Sequence, residues 1–129
     1  EQGWRQSKLV AGYLAPLGVS RILTSPYVRC VQSVEPLSGA TGIEIEITAA
    51  LAEGTNGEQV DLLVEELEPG AVLCSHGDII SGLIGRLAAE SVDLDAGPVW
   101  QKASVWHLER GERGRISRGR YVAPPVTDS

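Results

Sequence analysis

Two short segments carry the residues best suited to chemistry. In residues 24–29, Thr-Ser-Pro-Tyr-Val-Arg, a hydroxyl (Ser25) and a guanidinium (Arg29) follow an apolar run at residues 19–23. In residues 72–80, Val-Leu-Cys-Ser-His-Gly-Asp-Ile-Ile, an imidazole (His76) closes a second apolar run. Each run reads as a buried strand, and each is followed by apolar residues at helical spacing. Ser25, Arg29 and His76 therefore stand where a strand gives way to a helix. Unpaired backbone N–H groups and the helix dipole favour an anion there. A guanidinium adds a planar fork that matches phosphate oxygens. Gly77 permits close backbone approach beside His76. The chemistry this implies is the holding of a phosphoryl group, with Arg29 and His76 converging on one site at the carboxyl ends of the strands.

Each candidate has an ordinary alternative. Arg29 could be a surface arginine paired with an acid such as Glu35, and His76 a core histidine bonded to backbone. Ser25 could simply cap the helix, and Asp78 fits a carboxylate stabilised at a helix start. Glu53, in Leu51-Ala-Glu-Gly54, could be a solvated loop acid. His107, Trp100 and Trp106 read as structural. Lys102 and Ser104 carry only a weak functional signal.

The elements that must position these groups follow from periodicity. Residues 2–15 read as an amphipathic helix with Trp4, Leu9, Val10, Tyr13 and Leu14 on one side. A strand is expected at 19–24, a helix over 26–40 interrupted near Pro36, and an alternating strand at 43–47. A loop at 51–57 leads to a helix at 58–67. A strand at 71–75 with both faces covered, a helix at 77–89, a loop at 91–98 and a hairpin of 103–109 with 115–122 complete the pattern. The tail from residue 125 reads as disordered. Strands alternating with helices imply an α/β domain with a mostly parallel, mixed sheet.

The 129 residues suffice for one globular domain with a real core. A net charge of −6 argues against nucleic acid or an anionic membrane as partner. The arginines at 110, 113, 115, 118 and 120 admit a nucleic-acid reading, but a solvated hairpin balanced by Glu109 and Glu112 accounts for them better. No apolar run is long enough to span a bilayer. Cys30 and Cys74 fall in core elements and read as buried free thiols. The histidines and cysteines lack metal-ligand spacing, and no dinucleotide or P-loop pattern occurs, so no cofactor is expected.

The segments SPYVRCVQSVEPL and CSHGD resemble those of the histidine phosphatase superfamily, the phosphoglycerate-mutase-like enzymes. The resemblance is closer to the small phosphohistidine phosphatase type, and to the similar domain fused behind a Nudix domain in some actinobacterial proteins. It runs from about residue 1 to residue 124. It implies a three-layer α/β/α sandwich and a cytoplasmic phosphatase that hydrolyses phosphomonoesters or phosphohistidine through a phosphohistidine intermediate. It implies Arg29, His76 and Ser25 as phosphate-binding residues, with His76 beside the nucleophile and Glu53 as general acid. The partner would be a phosphorylated small molecule or a phosphohistidine protein.

The family's Arg-His-Gly or Arg-His-Ala triplet, which ends the first strand and carries the nucleophile, does not occur in this chain. The chain also has no methionine, and its helical pattern is already running at residue 2. A truncated product, or a domain cut from a longer chain, is therefore expected, with the triplet some 20 residues upstream. The resemblance places that first strand centrally, between the strands at 71–75 and 103–109. The rival expectation is a non-catalytic phosphate-binding or regulatory module that has lost its nucleophile.

Overall fold

An amphipathic helix, α1 (Gln2–Leu14), opens the computed structural model, which describes residues 2–111 and 113–126. Its buried stripe is Ala11 and Leu14, with Val10 packed alongside. Trp4, Leu9 and Tyr13 instead face outward, at 46%, 46% and 36% exposure. Leu9 and Tyr13 lie one turn apart on a neighbouring stripe, and Trp4 is covered on one side by the Lys8 ammonium, 5.4 Å from its ring. A short 3₁₀ turn (Ala15–Leu17) follows and ends at Gly18, whose φ of 88° suits glycine.

Strand β1 (Arg21–Thr24) is the centre of the domain, with Ile22 and Thr24 fully buried and Leu23 nearly so. Helix α2 (Val28–Thr41) runs unbroken through Pro36, where an interruption was expected. Proline removes one intrahelical bond, but buried Cys30, Val34 and Leu37 hold the helix to the sheet on both sides of it. Gly42, at φ 75°, closes the helix by donating its N–H to Ser38 O. After β2 (Ile45–Ile47) and a 3₁₀ turn (Ala49–Leu51), Asn56 caps α3 (Gly57–Glu66) by accepting from the Glu58 N–H at 2.8 Å. Strand β3 (Ala71–Cys74) then leads into α4 (Gly77–Ala89).

Beyond α4, a two-residue strand, β4 (Asp93–Leu94), lies where a loop was expected. Two residues are too few to leave a periodic signal. β4 pairs in parallel with β6 (Ile116–Val122), which pairs antiparallel with β5 (Val105–Arg110). Gly119 lets the Leu94 side chain pack close at that crossing, since a Cβ there would lie 2.6 Å from Leu94 Cδ2 and the leucine would have to shift.

Alternation along β1 sends side chains to two faces. Ile22 joins Ala11, Leu14, Val34 and Leu37 of α1 and α2. Leu23 joins Leu51 and Leu67, with Leu63 of α3 packed against them. Helices thus cover both faces of a parallel sheet, as expected for an α/β/α domain. The strands form two groups, however: β2-β1-β3, all parallel, and β4-β6-β5, mixed.

β3 is an edge strand of the first group and β5 an edge strand of the second. Gly70 O accepts from Ser20 and Cys74 O from Ser25, so the even-numbered carbonyls turn toward β1. Ala71 and Leu73 therefore turn their backbone groups the other way, where no described strand pairs with β3. β3 is only half-buried along its length, against the full cover expected of it, because that side lacks a neighbour. Residues at the two ends of β5 reach the two ends of β3. Trp100, just before β5, packs on Gly77 beyond the end of β3. Arg110, which ends β5, bonds to Val64 O, Glu65 O and Leu67 O, ahead of β3.

Those bonds also revise the expected solvated arginine cluster. Arg110 satisfies carbonyls at the C-terminal end of α3, which helices otherwise leave unpaired. Arg120 reaches the Tyr13 hydroxyl, and Arg118 approaches Asp93 at 4.0 Å. Glu112, one of the two expected counter-charges, lies outside the described residues, as do residues 127–129 of the tail; residues 125 and 126 have no regular structure. Arg110→Ala should destabilise the domain by about 1–3 kcal/mol, read as a lowered midpoint in urea with unchanged slope. Arg113→Ala, at an exposed position, should change it by less than about 0.5 kcal/mol.

Candidate functional site

The turn after β1 and the turn after β3 lie side by side, because the two strands pair in register (Leu23 with Leu73, Thr24 with Cys74). Each turn then opens a helix, so the N-termini of α2 and α4 approach one another. Ser25, almost fully buried, follows β1. His76 is the extended residue that caps α4, with φ −103° and ψ 161°. Their side chains meet: Ser25 Oγ and His76 Nε2 are 2.8 Å apart. Ser25 Oγ also accepts from the Tyr27 N–H at 3.3 Å, so the serine serves the turn and the histidine together. Tyr27 packs against the imidazole in an edge-on contact, with centroids 5.5 Å apart.

A cavity of about 330 Å³ opens here, lined by Ser25, Pro26, Tyr27, Ala52, Glu53 and His76. Three of the four residues expected from the sequence thus share one cavity. The fourth, Arg29, stands exposed in the first turn of α2 and is not in its lining. The Arg29 guanidinium has no hydrogen-bond or ion-pair partner among the described residues, Glu35 included.

Glu53 reaches the cavity because its loop is tied to the β3–α4 turn twice. Ser75 Oγ donates to Leu51 O at 2.6 Å, and Asp78 Oδ2 accepts from the Gly54 N–H at 3.3 Å. Asp78 occupies the first turn of α4, as its sequence suggests. Its contact with the Glu53 loop, and that of Ser75, connect residues 24 apart, and no local pattern announces them. Tyr27 was likewise not singled out, although its place two residues after Ser25 put it at the turn.

Behind this cavity lies the cysteine pair. Cys30 is buried, with Sγ 4.0 Å from His76 Nε2 and 3.9 Å from Ser75 O. The Cys30 thiol is drawn down to about 6, first by a hydrogen bond with Cys74 and then by the charge on His76, against the opposing effect of burial. The same bond and burial push the Cys74 thiol up. Cys74 is half-buried, and both thiols are free.

The second histidine does not join the first. His107, on β5, packs against Tyr13 of α1 with ring centroids 6.0 Å apart. Since the chain has two histidines, His76 is the one at the cavity. No cluster of three or more metal-ligating side chains occurs among the described residues, and none of their helices is long and apolar enough to cross a membrane.

Comparison with known proteins shows the family and the fold. The profile of the histidine phosphatase superfamily (branch 1) matches residues 1–69, more than half of the chain. No curated protein matches significantly. Among solved structures, the phosphate complex of mycobacterial glucosyl-3-phosphoglycerate phosphatase superposes with a TM-score of 0.68 at 18% identity, over 98% of this chain and 86% of that one. A second, described as mycobacterial hydrolase 2, gives 0.62 at 15% identity, over 96% and 79%. The protein assigned as phosphohistidine phosphatase SixA from Agrobacterium tumefaciens gives 0.60 at 20% identity, over 70% and 62%. At these identities the likeness is one of fold.

Proposed function

The chain belongs to the histidine phosphatase superfamily, and from that premise we propose that it is the phosphate-holding part of a phosphatase acting on phosphomonoesters or phosphohistidine. The observation that carries this reading is the meeting of Ser25 and His76 at 2.8 Å, where the N-termini of α2 and α4 adjoin one cavity. An anion bound there would take backbone N–H groups from two helix starts, a hydrogen bond from the His76 imidazole, and the Ser25 hydroxyl. Arg29, in the first turn of α2, would close a guanidinium over the equatorial oxygens.

The nucleophile in this proposal is a histidine on a strand that enters between β3 and β5. The two open edges support that placement, and so does the absence of a second histidine at the cavity. The imidazole nitrogen attacks phosphorus as the bond to the leaving group breaks, and Glu53 delivers a proton to the departing oxygen. Water then attacks the phosphohistidine, returns its proton to Glu53 and frees inorganic phosphate. Asp78 and Ser75 act as positioning residues for the Glu53 loop. The whole enzyme's substrate, and a Nudix partner domain in the same polypeptide, belong to this proposal and not to the comparisons.

A second reading has one observation in its favour. With His107 turned to α1, the chain by itself can bind phosphate and not turn it over, as a regulatory module would. Turnover of an aryl phosphate separates the two. The chain alone should give background rates. The chain with an Arg-His-Gly strand supplied should hydrolyse the ester, and failure to do so would favour the binding module.

A further inference from the structure

A second cavity, of about 370 Å³, lies beside the phosphate turn and has no part in the mechanism above. It is lined by Val99, Trp100, Gln101 and Tyr121. Trp100 connects the two places. Its indole packs on Gly77, the residue after His76, so closely that a Cβ on Gly77 would lie 3.0 Å from Trp100 Cε3. A tryptophan against a helix start that binds anions, yet 41% exposed, leaves a large aromatic surface open to a ligand.

The loop that presents it is fixed in place. The Trp106 indole N–H donates to Val99 O at 2.9 Å. Ser104 Oγ donates to Gln101 O at 2.6 Å and accepts from the Gln101 N–H at 3.1 Å. The Tyr121 hydroxyl donates to Gln101 Oε1 at 3.3 Å, and the Trp106 and Tyr121 rings pack with centroids 5.4 Å apart. The bond from Tyr121 occupies the carbonyl of the Gln101 amide and leaves its NH₂ as a donor at the cavity. Mostly apolar walls with a few placed polar groups, in an open depression large enough for one ring system, fit a small-molecule subsite.

We infer that this cavity is the leaving-group subsite of the phosphate site, and that it takes a planar aromatic or heteroaromatic group, stacked on Trp100 and Tyr121 with an acceptor atom facing Gln101. The inference rests on the phosphate site proposed above, and binding measurements separate the two without any need for turnover. Inorganic phosphate, methylphosphonate and phenylphosphonate are titrated into the protein by calorimetry. Phenylphosphonate should bind about tenfold tighter than methylphosphonate, the scale of one good aromatic contact. In Trp100→Leu and in Tyr121→Leu that advantage should fall to about twofold or less, with phosphate affinity unchanged in each. Equal binding of the two phosphonates, with phosphate binding intact, would overturn the subsite and leave the phosphate site standing. An advantage that survives in both variants would also overturn it. Absence of phosphate binding to the unsubstituted chain would overturn both proposals.

Discussion

Joining a short apolar strand that closes on Arg-His-Gly to the front of this chain, through a loop, should raise its melting temperature by roughly 10 °C or more. The reason is the pair of unmatched edges. Ala71 and Leu73 present backbone groups on the side of β3 away from β1, and β5 pairs on one side with β6. Unpaired backbone groups are costly when covered and adhesive when exposed. One inserted strand would satisfy both edges and join the two sheets into one. Without it, the chain should self-associate at micromolar concentration or unfold over a broad range; with it, sedimentation should show a monomer. If the chain without the strand instead melts cooperatively as a monomer at high temperature, and the added strand changes nothing, the two edges have no need of a partner and the proposed insertion is wrong.

The second large effect concerns turnover. In the strand-extended protein, His76→Ala should lower kcat for an aryl phosphate by about 10²–10³, the cost of removing one donor to a developing oxyanion. Glu53→Gln should lower it by a similar factor for an alkyl phosphate. The Glu53 effect should be much smaller for para-nitrophenyl phosphate, whose leaving group needs little protonation. His107→Ala should leave the rate unchanged, since its ring lies on Tyr13. A rate that vanishes with His107 and survives the loss of His76 would mean the roles of the two histidines are reversed.

Much of this arrangement was legible in the sequence where local chemistry decides structure. The helix at 77–89 appears with the expected bounds, because an apolar strand run, a glycine and an acidic first turn all agree there. The meeting of Ser25 with His76 follows from two similar strand-helix turns on adjacent parallel strands. What was not legible depended on contacts far apart in the chain. α1 buries Ala11 and Leu14 and leaves Trp4 and Leu9 outside, a choice made by packing on α2 and not by hydrophobicity. Pro36 does not break α2, because burial on both sides outweighs one lost hydrogen bond. Arg110 looked like one of a solvated series, and only the fold brings it to the end of α3. Arg29 is the instructive partial case. The sequence placed it correctly in the first turn of α2, but convergence on His76 is a matter of side-chain direction, which periodicity does not encode, and Arg29 stands exposed and outside the cavity lining.

The central claim is that His76 and Ser25 form a phosphate site in this chain, and inorganic phosphate titrated against the imidazole NMR resonances tests it most directly. The chain's two histidines serve as site and internal control. The account predicts that the His76 signals shift in a saturable way while those of His107 stay still, and that Ser25→Ala weakens the phosphate affinity severalfold. Phosphate that leaves His76 unmoved, or that shifts both histidines alike without saturation, would contradict it.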